Sequence, residues 1–145
     1  MGYNIQKYIV FYIDTTGLDI YHDYMNEIFA IKYEDGKIIN VFHHRFSYGF
    51  RERVLKEFIT WSNNYDLVTH NYYGFSKYFI EQVDFLPNKI IDTLLLSKGK
   101  YKGMKSYDMD YILKKNDINT VKGDSIKNIV NKIQQLFLIL TSKSN

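Results

Sequence analysis

The run YIVFYID at residues 8–14 constrains the fold of this chain more than any other stretch. Apolar and aromatic side chains fill it, without the polar alternation of a half-exposed strand. A strand of this kind is buried on both faces, which predicts a sheet with helices on its two sides. The run ends on Asp14, directly before TTGL at residues 15–18.

Strand and helix patterns alternate along the rest of the chain. Two strand-like stretches within residues 26–46 are joined by Asp35-Gly36, a strong hairpin signal. Asp92 and Ser106 are candidate N-caps of later helices. The other patterns predict a helix over 51–64, a strand over 67–70, a helix over 72–83, a strand leading into a helix over 88–96, and helices over 106–116 and 126–140. This order predicts a single α/β domain over residues 1–145, in which the hairpin strands are antiparallel and the later strands run parallel to the first.

Composition excludes several classes of site. The chain has no cysteine, which rules out disulfides, thiolate catalysis and cysteine-based zinc sites. It shows neither a signal-peptide pattern nor an apolar run close to 18 residues, so we predict a cytoplasmic protein with no membrane partner. The net charge of +3 permits nucleic-acid binding through a local patch without requiring it.

Six short motifs occur in a recognisable order along nearly the whole chain. They are IDTTGL (13–18), EIFAI (27–31), EDGKII (34–39), THN (69–71), IDTLLL (91–96) and GDS (123–125). Together they resemble the DEDD or DnaQ-like 3′–5′ exonucleases, which include the proofreading subunit of bacterial DNA polymerase III, ribonuclease T and oligoribonuclease. The resemblance implies a ribonuclease-H-like fold, a mixed five-stranded sheet flanked by helices. It also implies two divalent ions held by four carboxylates, with a His or Tyr near the fourth as general base.

Aligned on the family motifs, this chain departs from that catalytic set. Asp14 takes the second acid position and Tyr12 the first, while Asp124 takes the fourth. Ser76 takes the third position if HNYYGFSKYF carries one inserted residue. Asn119 and Thr120 stand where the two subgroups place the His or Tyr base, and the chain has no His after residue 70.

The site therefore has too little negative charge for two divalent ions. Two such ions carry four positive charges, whereas Asp14 and Asp124 supply two negative ones. We predict that two-metal exonucleolysis is absent or severely impaired. A single, weakly bound Mg²⁺ or Mn²⁺ between Asp14 and Asp124 stays open, because these ions accept carboxylates together with water. The alternative that Asp14 and Asp124 bind no metal and have only structural roles also stays open.

The resemblance also implies residues that contact a nucleic acid. These are Thr15, Thr16, Gly17, Leu18, His70 and Asn71. In addition, SKGKYKGMKSY (97–107) places Lys98, Lys100, Lys102 and Lys105 around Tyr101, which suits the phosphates and bases of a single strand. A solvated mobile loop is the alternative for this segment. His43 and His44 adjoin on a predicted strand and so point to opposite faces, which makes them a poor metal pair.

Three functions follow from these observations. The first is a degenerate exonuclease domain that retains binding to a DNA or RNA 3′ end. The second is a pseudo-enzyme that binds a protein partner, which an apolar surface patch and a cleft plugged by Tyr12 and residues 72–75 would favour. The third is an active exonuclease with relocated metal ligands, for which Asp66, Glu81 and Asp84 are the candidate acids.

Overall fold

The computed structural model of the protein describes residues 6–46, 51–82 and 84–142. Over these ranges one sheet has the strand order β3-β2-β1-β4-β5. The strands are β1 (Lys7–Thr15), β2 (Met25–Glu34), β3 (Lys37–Arg45), β4 (Asp66–Thr69) and β5 (Ile90–Asp92). The helices are α1 (Arg51–Trp61), α2 (Lys77–Ile80), α3 (Thr93–Lys100), α4 (Met109–Lys115) and α5 (Ile126–Thr141), with a π-helical turn over Tyr72–Ser76.

Strand β1 lies at the centre of the sheet, as the apolar run predicts. It pairs antiparallel with β2 and parallel with β4, and β4 pairs parallel with β5. Its residues Ile9, Val10 and Phe11 have no solvent exposure. The predicted mixed α/β sheet is therefore confirmed. Asp35 and Gly36, both at positive φ, form the predicted hairpin turn between β2 and β3.

Successive residues of β1 contact two different hydrophobic layers. Phe11 packs with Phe58 of α1 on one face of the sheet. Tyr8 packs with Phe137 of α5 on the other face. Because side chains alternate along a strand, Tyr12 and Asp14 share the α5 face with Tyr8. The side chains of Tyr12 and Asp14 therefore lie on the same face of the sheet as α5.

Three local predictions have different outcomes. Asp92 caps α3 as predicted, and its side chain accepts a hydrogen bond from the N–H of Leu94. Ser106 does not cap α4; its hydroxyl instead accepts from the N–H of Asp108 in the preceding turn, and the helix begins at Met109. The helix predicted over 72–83 begins as the π-turn, and residue 83 lies outside the described residues.

Across the part of the chain that the structure describes, no helix is both long and apolar enough to cross a membrane.

Candidate active site and nucleic-acid pocket

Two adjoining pockets open at the C-terminal end of β1, and Tyr12 and Asp14 line both of them. The first, the α5 pocket, has a volume of about 400 Å³ and lies between the sheet and residues 124–127 at the start of α5. The second, the TTGL pocket, has a volume of about 470 Å³. Its other wall residues include Thr15, Gly17, Leu18, His70, Asn71 and Phe75. The structure thus brings both retained acids and five of the six nucleic-acid contacts that the family resemblance implies to one end of the sheet.

Asp124, the predicted fourth acid, is paired with a cation of α5, the helix that follows it. Lys132 and Asn128 both donate hydrogen bonds to its carboxylate, the latter at 2.9 Å. The hydrogen bond from Lys132 is the main reason that the pKa of Asp124 lies below its usual value. The side chains of Lys132 and Asp124 are only 16% and 11% exposed. The negative charge of Asp124 is therefore largely balanced within the fold.

Tyr12 stands at the predicted first acid position and carries no charge. Burial raises the pKa of its phenol, and the nearby carboxylates of Asp14 and Asp110 raise it further. The phenol therefore stays protonated at neutral pH and offers a hydrogen-bond donor. A neutral O–H cannot bridge two cations as an aspartate does.

The predicted third and base positions supply no carboxylate or imidazole either. Ser76 is 3% exposed and lies outside the walls of both pockets, whereas the preceding Phe75 lines the TTGL pocket. The stretch that is predicted to carry an inserted residue forms the π-turn, in which the N–H of Ser76 donates to the carbonyl of Asn71, five residues earlier, at 3.3 Å. The alignment of Ser76 with the third acid position stays a prediction. Asn119 is exposed, and Thr120 lines a third pocket beside Asp124.

The side chains present do not fit a pair of divalent ions. Within the described ranges no group of three or more His, Asp or Glu side chains could hold a metal ion. Glu81 and Asp66, two of the three candidate relocated ligands, do not change this result. Glu81 accepts a hydrogen bond from the Tyr72 hydroxyl at 2.5 Å. Asp66 lies opposite Tyr8, about 20 Å along the strand from Asp14.

Glu27 and Lys132 are two site residues that the sequence analysis missed. Glu27 lies opposite Asp14 on β2 and lines the α5 pocket. Its carboxylate contacts His43 Nε2 at 2.6 Å and Arg45 Nε at 3.3 Å. A usable signal was present for Lys132, since residues 124, 128 and 132 recur at the four-residue spacing of one helix face.

The TTGL loop forms a rigid wall of its pocket. The hydroxyl of Thr16 donates to Asp23 at 2.9 Å, and the N–H of Asp19 donates to the same carboxylate at 2.9 Å. A side chain at Gly17 would place its Cβ 2.3 Å from Asp23 Oδ2 and so would push this carboxylate out of its hydrogen bonds to Thr16 and Asp19. Leu18 at the tip is 84% exposed and free to meet a ligand.

His70 and Asn71 form the opposite wall and are held by the protein itself. His70 Nε2 donates to the carbonyl of Tyr107 at 2.9 Å, while Nδ1 lies 2.7 Å from the Thr93 hydroxyl. Burial lowers the pKa of His70, so the ring is neutral at pH 7. Asn71 has φ +64° and donates its N–H to Asp92 at 2.7 Å. His70 positions this wall, because both of its nitrogens are already engaged.

The lysine-rich segment forms the end of α3 and the turns that follow it. Lys98 and Lys100 lie in the last turn of α3, and Lys102 and Lys105 are exposed in the turns that follow. The Tyr101 hydroxyl donates to Asn116 at 2.7 Å, which fixes this ring against α4. Binding of nucleic acid by these lysines stays a prediction.

A search of protein-family descriptions finds no match for this chain. The chain is similar to DNA polymerase III PolC-type proteins. It is 29% identical to the Bacillus cereus protein over 143 residues, which covers 78% of this chain, and 31% identical to that of Staphylococcus haemolyticus over 136 residues, which covers 74%. These alignments cover 10% and 9% of the two polymerases, so the chain spans about a tenth of their length.

Solved exonuclease structures share the fold. Exonuclease X in complex with 5′ overhanging duplex DNA has a TM-score of 0.61 and 17% identity, covering 94% of this chain and 93% of that one. E. coli Exonuclease I in complex with a dT13 oligonucleotide has a TM-score of 0.70 and 11% identity, covering 94% and 41%. Brucella melitensis NrnC with bound Mg²⁺ has a TM-score of 0.69 and 13% identity, covering 96% and 73%. The predicted ribonuclease-H-like fold is confirmed.

Proposed function

We propose that this chain, a relative of the DnaQ-like 3′–5′ exonucleases in sequence and fold, binds the 3′ end of a nucleic-acid strand without two-metal hydrolysis. The observation that carries the proposal is the contrast between its two pockets. The TTGL pocket has an ordered, glycine-dependent wall and an exposed Leu18. In the α5 pocket, Asp124 is paired with Lys132 and the first acid position is a neutral tyrosine.

The TTGL pocket has the surfaces that a terminal base needs. Leu18, Phe75 and Tyr107 present apolar and aromatic groups to it from three different segments of the chain. Stacking of a base on an aromatic ring contributes about 1–3 kcal/mol, whatever the base. The structures of Exonuclease X and Exonuclease I with DNA support a nucleic acid as the ligand class.

The adjacent α5 pocket accepts a phosphate without the help of a metal. Its acids are Asp14, Glu27 and Asp124. Arg45 and Lys127 line the same pocket, and Lys132 pairs with Asp124 from the neighbouring pocket. The protonated hydroxyl of Tyr12 adds a donor at the same place. A phosphate there meets a site that is close to neutral, whereas an ordinary four-carboxylate site repels it unless metal ions are bound.

Hydrolysis lacks an activating group in this arrangement. The attacking water needs a base, and Asn119 and Thr120 cannot act as one. The neutral His70 ring is engaged on both nitrogens. The chain's own residues therefore bind and orient a strand end, and they leave its terminal phosphodiester intact.

The test measures binding and cleavage separately. In EDTA, we expect a 3′-labelled single-stranded oligonucleotide to bind, as measured by fluorescence anisotropy. It should bind about 5–30-fold more weakly to Leu18→Ala, the factor that corresponds to a loss of about 1–2 kcal/mol of buried apolar contact. Leu95→Ala is the matched control, since Leu95 is 52% exposed on α3 outside both pockets. In Mg²⁺, the same oligonucleotide should release no nucleotide.

Two results would contradict the proposal. Equal affinity of Leu18→Ala and Leu95→Ala would remove the TTGL pocket as the binding site. Release of nucleotides in Mg²⁺ that is lost in Asp14→Asn would show an active enzyme.

A protein-interaction module is the second candidate function. It is favoured by the outer strand β3, where Ile38, Ile39 and Val41 are 59%, 46% and 46% exposed. An unpaired strand edge with apolar side chains can receive an extended segment of another chain. Failure of oligonucleotide binding, together with peptide binding that Ile39→Lys abolishes, would favour this candidate over the first.

A further inference from the structure

The partner of Asp124 is built into α5 itself. Asp124 immediately precedes the N-cap Ser125, and Lys132 lies two turns into the helix. Lys132 bonds to one carboxylate oxygen and Asn128 to the other. Both oxygens of the Asp124 carboxylate are therefore bonded to donors of α5.

The pair is shielded from water more than a surface ion pair. At 16% and 11% exposure, the two side chains are screened much less than exposed charges. Removing either partner would leave a poorly hydrated charge, which a protein accepts only with some other counter-ion. A divalent cation from solution is one such counter-ion, because Asp14 lines the same pocket as Asp124.

We propose that the Lys132 ammonium takes the place of the divalent cation at Asp124, and that removing this single charge creates a site for one Mn²⁺ between Asp14 and Asp124. The inference concerns the α5 pocket alone. It holds or fails independently of whether the TTGL pocket binds a nucleic acid.

The test replaces lysine by methionine at two positions. Lys132→Met removes the positive charge that pairs with Asp124. Lys114→Met is the control, because Lys114 is exposed on α4 and lines neither the α5 pocket nor the TTGL pocket. In EDTA, we expect Lys132→Met to have a lower Tm than the unaltered protein. Saturating Mn²⁺ should then raise its Tm by about 5–10 °C, the shift expected for a ligand at about 100 times its Kd. Electron paramagnetic resonance titration should count one bound ion.

The unaltered protein and Lys114→Met should show no Asp124-dependent Mn²⁺ binding and no change in Tm when Mn²⁺ is added. Lys132→Met combined with Asp124→Asn should lose the Mn²⁺ response. Lys132→Gln, which keeps a hydrogen-bond donor without the charge, serves if Lys132→Met does not fold. Mn²⁺ binding by the unaltered protein that Asp124→Asn abolishes, or no Mn²⁺ response in the folded Lys132 variant, would overturn the inference.

Discussion

The carboxylate of Asp92 joins the start of α3 to the wall of the TTGL pocket. It is 4% exposed and accepts three backbone N–H groups, those of Leu94 at 2.9 Å, Asn71 at 2.7 Å and Tyr73 at 3.3 Å. One of these bonds caps the helix, and the other two hold the turn that places Asn71 at positive φ. Replacing Asp92 should therefore affect both stability and the pocket.

The expected cost of Asp92→Ala follows from these three bonds. Loss of the N-cap costs about 1 kcal/mol. Each of the other two N–H groups, left without an acceptor, costs about 1–2 kcal/mol more. The total of about 3–5 kcal/mol is a large part of a typical free energy of unfolding. For a chain of this size it lowers Tm by about 10–15 °C.

Urea unfolding and oligonucleotide binding test this prediction together. Asp92→Ser restores a cap for Leu94 but cannot also reach the turn, so it should recover about 1 kcal/mol over alanine while oligonucleotide affinity stays low. Glu52→Ala, which removes a single exposed ion pair with Lys56, is the control and should cost less than about 0.5 kcal/mol. If Asp92→Ala were as stable as Glu52→Ala, the reasoning from buried N–H groups would be refuted.

Two further predictions concern the same pocket. Because burial lowers the pKa of His70 below 6.5, the unfolded chain binds more protons as pH falls through that range. The free energy of unfolding should therefore drop below pH 6.5, by at most about 1.4 kcal/mol per pH unit, and level off below the pKa of His70 in the folded protein. Urea titrations at several pH values should give a steeper pH dependence for the unaltered protein than for His70→Asn. An equal dependence in the two proteins would contradict the prediction. Gly17→Ala should destabilise the protein by about 1–3 kcal/mol and weaken oligonucleotide binding, because the new Cβ meets Asp23, whereas Gly99→Ala meets no atom within 4 Å and should be neutral or stabilising. Equal thermal stability of the two alanine variants would show that the TTGL loop tolerates a side chain.

Local sequence patterns were sufficient for the parts of the fold that depend on near neighbours. The apolar run of β1 predicts its central position, because only a covered strand can lack polar alternation. Asp35-Gly36 predicts the hairpin, since both residues tolerate the positive φ that the turn requires. Asp92 predicts a helix start, although nothing in the sequence indicates that the same carboxylate also accepts from the distant N–H groups of Asn71 and Tyr73.

Predicting the site requires contacts between residues that are distant in sequence, and the motifs do not specify these contacts. Family alignment identified Asp124, but the lysine that neutralises it lies outside every quoted motif. Likewise, Glu27 is a motif residue whose neighbours His43 and Arg45 come from another strand, so their contact follows only from the strand register. Ser106 failed as a cap because its hydroxyl satisfies the N–H two residues later, before the helix begins.

The π-turn over Tyr72–Ser76 has a consequence for how this protein could change over generations. Each residue of a helix advances the direction of the next side chain by about 100°, so adding or deleting one residue in this turn redirects the side chains that follow it. Replacing Ser76 by an acidic residue alone would place the carboxylate in the interior, where Ser76 lies. We expect an acid to face the pocket only when one residue of the turn is deleted as well, and a crystal structure of such a variant would show its side chain directed toward Asp14.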